Sequence, residues 1–178
     1  MRSASAFGRE TPLGGSGVDW KRTMTAHGND FGDRNPRTRE ILLVEDNPGD
    51  VRLLEEAMDE AEISHRIHAV SDGRRALEFI QQRGRYEEAP RPDLVLLDLN
   101  LPQLSGDEVL DTLKTDADYC EIPVIMLTSS DTPENVRQAY RLGANAYLTK
   151  PVDPGKFVDL VQSIEQFWLA TATLPPGR

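Results

Sequence analysis

Ile41-Leu42-Leu43-Val44-Glu45-Asp46-Asn47-Pro48 is the stretch on which the fold turns. Four consecutive apolar residues with no polar alternation suit a strand that is covered on both faces. Two carboxylates and an asparagine end the run. Pro48 follows, a residue favoured at the first position of a helix because its ring fixes φ and its missing N–H is not needed there. Val51, Leu54, Ala57, Met58 and Ala61 then recur at the spacing of one helix face. The octapeptide therefore reads as the carboxyl end of a buried strand running into a helix, with acidic groups gathered at the junction.

The same unit recurs along the chain. Ile67-His68-Ala69-Val70 reads as a second strand, and Ser71-Asp72-Gly73 turns into a helix carrying Ala76, Leu77 and Ile80. Residues 83–93, with Gly84, Pro90 and Pro92, read as a loop. Leu94-Val95-Leu96-Leu97 is a third strand, followed by a helix marked by Val109, Leu110 and Leu113. Val124-Ile125-Met126-Leu127 is a fourth strand. Pro133 opens a helix through about Leu142, with Gly143 placed as its carboxyl-terminal cap. Ala146-Tyr147-Leu148 is a short fifth strand, and Pro154 opens a last helix predicted to run to Phe167 or Trp168. Strict alternation of this kind gives an α/β fold, a (βα)5 three-layer sandwich with a parallel sheet and right-handed crossovers. The flavodoxin-like strand order 2-1-3-4-5 is the expected topology.

Residues 39–170 are thereby assigned to one folded domain and 171–178 to a carboxyl-terminal tail. Residues 1–38 are rich in Gly, Ser, Arg, Asn and Asp without apolar periodicity, and read as a disordered tail or a misassigned start. The length of 178 residues favours one domain. No run of 18 apolar residues is present, so no membrane span is expected. With no apolar leader and one cysteine, Cys120, the chain suits a reducing cytoplasm. Cys120 itself is expected to act as a small, buried or half-buried hydrophobe. The net charge is −10, and residues 41–178 hold 25 acidic against 13 basic residues. That balance argues against direct binding of nucleic acid, which requires clustered Lys and Arg.

In an open parallel sheet, ligands bind beyond the carboxyl ends of the strands. Glu45, Asp46 and Asn47 follow strand one. Asp98, Leu99 and Asn100 follow strand three, Thr128 follows strand four, and Thr149, Lys150 and Pro151 end strand five. In the order 2-1-3-4-5 these strand ends are neighbours. Singly, each residue has an ordinary reading as a cap, a turn former or a solvated charge. Together they describe a metal-assisted phosphoryl acceptor. Carboxylates about 5 Å apart repel by roughly 3 kcal/mol per pair at an effective dielectric near 20. Positive charge must offset that, from a hard cation such as Mg²⁺ on an oxygen-only site and from Lys150. Asp98 is ionised at neutral pH and needs no general base to attack phosphorus and form an acyl phosphate.

Glu45-Asp46-Asn47 after ILLV, Asp98-Leu-Asn-Leu-Pro-x-x-x-Gly106, Thr128 after VIML, and Lys150-Pro151 resemble the receiver domain of two-component response regulators. The stretches ILLVEDNPGD, DLNLP and IEQFWLATATLP look more narrowly like single-domain regulators paired with phytochrome-type histidine kinases. The resemblance implies that Asp98 is the phosphoacceptor, and that Asp46, Asp98, the Asn100 carbonyl and, through water, Glu45 hold Mg²⁺. It implies that Thr128 and Lys150 bond the phosphoryl group, that Tyr147 is the switch aromatic that turns inward with Thr128, and that Lys150-Pro151 is a cis peptide. A histidine kinase would be the phosphodonor, and output would run through the surface near helix four and strand five or through a homodimer. The 83–93 connection, long for the family, is expected to lie far from the site. Phe167-Trp168-Leu169 is expected to pack back on the domain or to form a homodimer face.

Other classes fit less well. A haloacid-dehalogenase-type phosphohydrolase wants an acid two residues past its nucleophile, and that position is Asn100. A flavin carrier wants hydroxyls after strand one, where Glu45 and Asp46 would repel the phosphate. The expected role is therefore a phosphorylation switch and not an enzyme.

Overall fold

A computed structural model of the chain describes residues 38–59 and 63–176. Ala61 and residues 1–37 of the tail assigned to 1–38, Trp20, His27 and Phe31 among them, lie outside them. Five strands, β1 (Arg39–Val44), β2 (His65–Val70), β3 (Leu94–Leu97), β4 (Val124–Thr128) and β5 (Ala146–Thr149), form one sheet in the order β2-β1-β3-β4-β5. Every pairing is parallel. The expected topology is the one observed.

The helices are α1 (Pro48–Asp59), α2 (Gly73–Ile80), α3 (Gly106–Thr115), α4 (Pro133–Arg141) and α5 (Pro154–Ile164). Strand polarity explains the two layers of core. Ile41 and Leu43 pack with Leu54 and Met58 of α1 and Phe157 and Val161 of α5, while Leu42 and Val44 pack with α2, α3 and α4 through Phe79, Leu110 and Ala139. The unbroken apolar runs of β1, β3 and β4 follow from this two-sided burial. Helix starts are fixed locally. The Asp72, Ser105, Thr132 and Asp153 side chains each accept a backbone N–H of their helix's first turn, and Ser105 forms a reciprocal capping box with Glu108. Gly143, with φ of 95°, ends α4 in the left-handed conformation that glycine adopts without a Cβ clash.

Five expectations need correction. The last α-helix stops at Ile164, and residues Glu165–Thr171 continue as a π-helix closed by an Ala172 N–H to Phe167 carbonyl bond of 2.7 Å. The wider turn places Leu169, five residues after Ile164, in the core, keeps Trp168 against it and leaves Phe167 exposed. Leu174 is buried as well, so the packed chain continues beyond residue 170. The Lys150–Pro151 peptide is trans, the isomer that X–Pro bonds favour intrinsically. Cys120 is exposed, because it sits in the turns between α3 and β4 and not on an apolar face. Finally, the 83–93 segment contains a 3-10 turn at Gly84–Tyr86, and it reaches further than connectivity suggests. Tyr86 stacks edge-on to Phe79 at 5.4 Å, and Arg85 and Tyr86 line a groove of about 510 Å³ whose walls include Glu45 and Asp46.

Among the described residues, no helix is long and apolar enough to cross a membrane.

Candidate functional site

Ladder bonds that continue past the strand ends set the site residues side by side. The Glu45 N–H donates to the Val70 carbonyl at 2.9 Å, the Asp98 N–H to Val44 at 3.0 Å, and the Lys150 N–H to Thr128 at 2.8 Å. The backbone thus delivers residues from β1, β3, β4 and β5 to one edge before any side chain interacts. Oxygen atoms of Glu45, Asp46 and Asp98 all lie within 4.8 Å of one another. Glu45 and Asp98 are buried there, while Asp46 faces solvent.

The Asp98 carboxylate is oriented from both sides. Its Oδ1 accepts the Leu99 N–H at 2.6 Å and the Asn100 N–H at 3.4 Å, and its Oδ2 faces Lys150 Nζ at 3.4 Å. The Lys150 ammonium also donates to Glu45 Oε2 and, at 2.9 Å, to Asp50 Oδ2. Burial alone would lower the pKa of Lys150. The bonds to Glu45 and Asp50 and the charges of Glu45 and Asp98 outweigh burial and hold it above the ordinary lysine value. Lys150 is therefore a fixed cation at any physiological pH. At Glu45 burial dominates and pushes the carboxyl up, although the Lys150 bond and the Asn47 N–H oppose it.

Gly106 is close-packed against the acceptor. A Cβ there would overlap the Asp98 carbonyl oxygen and lie 2.8 Å from Leu99 Cα. Its N–H donates to the Leu99 carbonyl at 2.9 Å, so the start of α3 buttresses the Asp98 loop directly.

Thr128 is fully buried at the end of β4, and its hydroxyl accepts the Ser130 N–H at 3.4 Å. Among the described residues, no hydrogen bond joins that hydroxyl to Asp98. Tyr147 is half-buried against the α2–α4 side of the core, and its hydroxyl donates to the Ser130 carbonyl at 2.9 Å. Burial raises its pKa above the ordinary phenol value, more than the Ser130 bond lowers it. Asn100 is exposed two residues beyond Asp98. Glu45, Asp46, Asp98 and Lys150 are thus brought together, and Thr128, Tyr147 and Asn100 stand around them without direct contact to the Asp98 carboxylate beyond the Asn100 N–H.

Asp50 was not anticipated. It lies in the first turn of α1, where an acid is explained by the helix dipole alone. The signal available in the sequence was its spacing. Asp50 stands four residues after Asp46, one helical turn beyond the strand end, on the side that faces Lys150.

Glu45, Asp46, Asp50 and Asp98 outnumber the one ammonium of Lys150 and leave an excess of negative charge. For Glu45, Asp46 and Asp98, whose oxygens lie within 4.8 Å of one another, each unscreened pair costs about 3 kcal/mol at an effective dielectric near 20. An all-oxygen cluster with one exposed member is the donor set of a hard divalent cation, and Glu45, Asp46 and Asp98 fit such an ion.

These features define a receiver module of two-component signalling, and the chain belongs to the response regulator receiver domain family, whose model matches residues 41–162. The chain is 45% identical over 143 residues to the response regulator Rcp1 of Synechocystis sp., covering 80% of this chain and 97% of that protein. The crystal structure of the Mn²⁺-bound form of Rcp1 superposes with a TM-score of 0.76 at 46% identity, over 78% of this chain and 99% of that one. The phosphorylated cyanobacterial phytochrome response regulator RcpA superposes with a TM-score of 0.77 at 42% identity, over 79% and 100%.

Proposed function

We propose that this receiver accepts a phosphoryl group on Asp98 from a histidine kinase in a Mg²⁺-dependent reaction, and that the phosphorylated form binds a partner or a second copy of itself. The observation that carries this reading is the Asp98 carboxylate. It is pinned by two backbone N–H groups on one oxygen and faces a fixed ammonium on the other. Asp98 is the nucleophile. Its Oδ–P bond forms as the P–N bond of a phosphohistidine breaks, and the imidazole leaves and takes up a proton. Lys150 neutralises charge on the transferred group, and the Thr128 hydroxyl bonds it. Asp46 and Asp98 would hold Mg²⁺ through carboxylates, Asn100 through its carbonyl and Glu45 through water. Bound there, the ion supplies charge neutralisation for the phosphoryl oxygens. Tyr147 is the switch residue, since it shares Ser130 with Thr128 and would follow that segment when it moves.

Similarity to the phytochrome response regulator RcpA supports a phytochrome-type histidine kinase as the donor. Exposed Phe167, set edge-on to Trp168 at 5.3 Å, supports a homodimer face at the end of α5. The acidic balance supports a protein partner over nucleic acid, and a cytoplasmic location follows from that partnership. Phosphotransfer profiling against the host's histidine kinases tests the reading. Labelling should require Mg²⁺ and vanish in Asp98→Ala. Labelling retained in that variant would refute the assignment of Asp98.

A further inference from the structure

The Lys150 ammonium has three N–H donors, and all three are spent on Glu45, Asp50 and Asp98. They are not spent equally. The bond to Asp50 is 2.9 Å, within the range of a strong charge-assisted hydrogen bond, while the Asp98 contact is 3.4 Å and lies outside it. The ammonium leans toward the α1 side of the site and away from the acceptor. A phosphoryl group on Asp98 inherits the long Asp98 contact and draws Lys150 toward it, against the shorter bonds to Glu45 and Asp50.

Of the two carboxylates that hold Lys150 on the far side from Asp98, the structure says which gives way. The Glu45 side chain is 4% exposed and would be left buried and ionised without its cation, an expensive outcome. The Asp50 side chain is 33% exposed and sits in the first turn of α1, where water and the free backbone N–H groups can accept its charge. We infer that Asp50 is a latch. It holds Lys150 back from Asp98 in the resting protein and releases it when the phosphoryl group arrives. Asp50 is thus a positioning residue that acts through Lys150 and sets how readily the phosphorylated state is reached. This inference rests on Asp98 being the phosphoacceptor.

The test uses beryllofluoride as a phosphoryl mimic, with the full chain at saturating Mg²⁺. Asp50→Asn keeps the shape of the side chain and removes its charge, so the affinity for beryllofluoride should rise about three- to ten-fold, the range for losing one partly exposed charged bond. A second measurement follows Lys150 itself. The chain has four lysines, and in ¹⁵N-lysine spectra the Lys150 ammonium should exchange faster with water in resting Asp50→Asn than in the wild type. Unchanged or weakened beryllofluoride affinity, or unchanged Lys150 exchange, overturns the latch. Failure of the underlying reading is separate, because then the wild type itself would not bind beryllofluoride in an Asp98-dependent way.

Discussion

Replacing Gly106 by Ala adds one methyl group where the structure has no room for it. The new Cβ would lie 2.8 Å from Leu99 Cα, against an ordinary contact of 3.4 Å or more, and closer still to the Asp98 carbonyl oxygen. The neighbours are backbone atoms, so no side chain can rotate away. The Asp98–Leu99 segment must shift by at least about 0.6 Å, and overpacking of this kind costs about 1–3 kcal/mol. Alanine returns part of that through its higher helix propensity, up to about 1 kcal/mol. A net loss near 1–2 kcal/mol lowers the melting temperature by about 3–8 °C for a domain of this size. The functional loss should be larger than the stability loss. The displaced residue is the acceptor, and misplacement approaching 1 Å can cost about a hundred-fold in rate. Thermal melting and Mg²⁺-dependent labelling by a small phosphodonor read the two effects. Gly84→Ala is the control. With φ of 58° and open space around its Cα, it carries backbone strain of about 1 kcal/mol and should label normally. A Gly106→Ala protein that melts with the wild type and labels within about two-fold of it would refute the claim that α3 buttresses Asp98.

The acid limb of stability has a local marker. The Ser105 backbone N–H and hydroxyl hold the Glu108 carboxyl below its ordinary value. A group depressed in the folded state contributes stability above its unfolded pKa and loses it as pH falls through the folded pKa. Ser105→Ala should therefore flatten the decline of denaturation midpoint below about pH 4.5, and an unaltered slope would count against the capping box. The π-helix makes a second demand. Leu169→Ala should cost about 2–4 kcal/mol in chemical denaturation, and Phe167→Ala less than about 0.5, although an α-helical continuation would bury Trp168 in place of Leu169.

How legible the fold was in the sequence depended on the kind of signal. β1, β3 and β4 announce themselves because burial on both faces leaves only apolar residues. β2 is an edge strand, and its polar start at His65 and Arg66 hid two of its six residues. The strand-end chemistry was legible because sheet order brings Glu45, Asp46, Asp98 and Lys150 together without any side-chain detail. Asp50 was legible only as an acid one helical turn past Asp46; its contact with Lys150 depends on how far a lysine reaches and not on where the backbone runs. The approach of Arg85 and Tyr86 to the groove beside Asp46 was hidden for a similar reason. It depends on Tyr86 docking on Phe79, a tertiary contact with no local pattern. The π-helix leaves no trace in a hydrophobic pattern read at 3.6 residues per turn.

That π segment changes how this chain can be compared with others. A π turn holds one residue more than an α turn, and here it sets Leu169, not Trp168, in line with Ile164. Any position-by-position transfer from an α-helical relative would slip by one beyond Ile164. It would equate Trp168 with the buried site that Leu169 fills, and it would set exposed Phe167 one place out of step with the residue that covers the same surface. Equivalences on this part of α5 and its continuation must be drawn in space, from what each side chain touches.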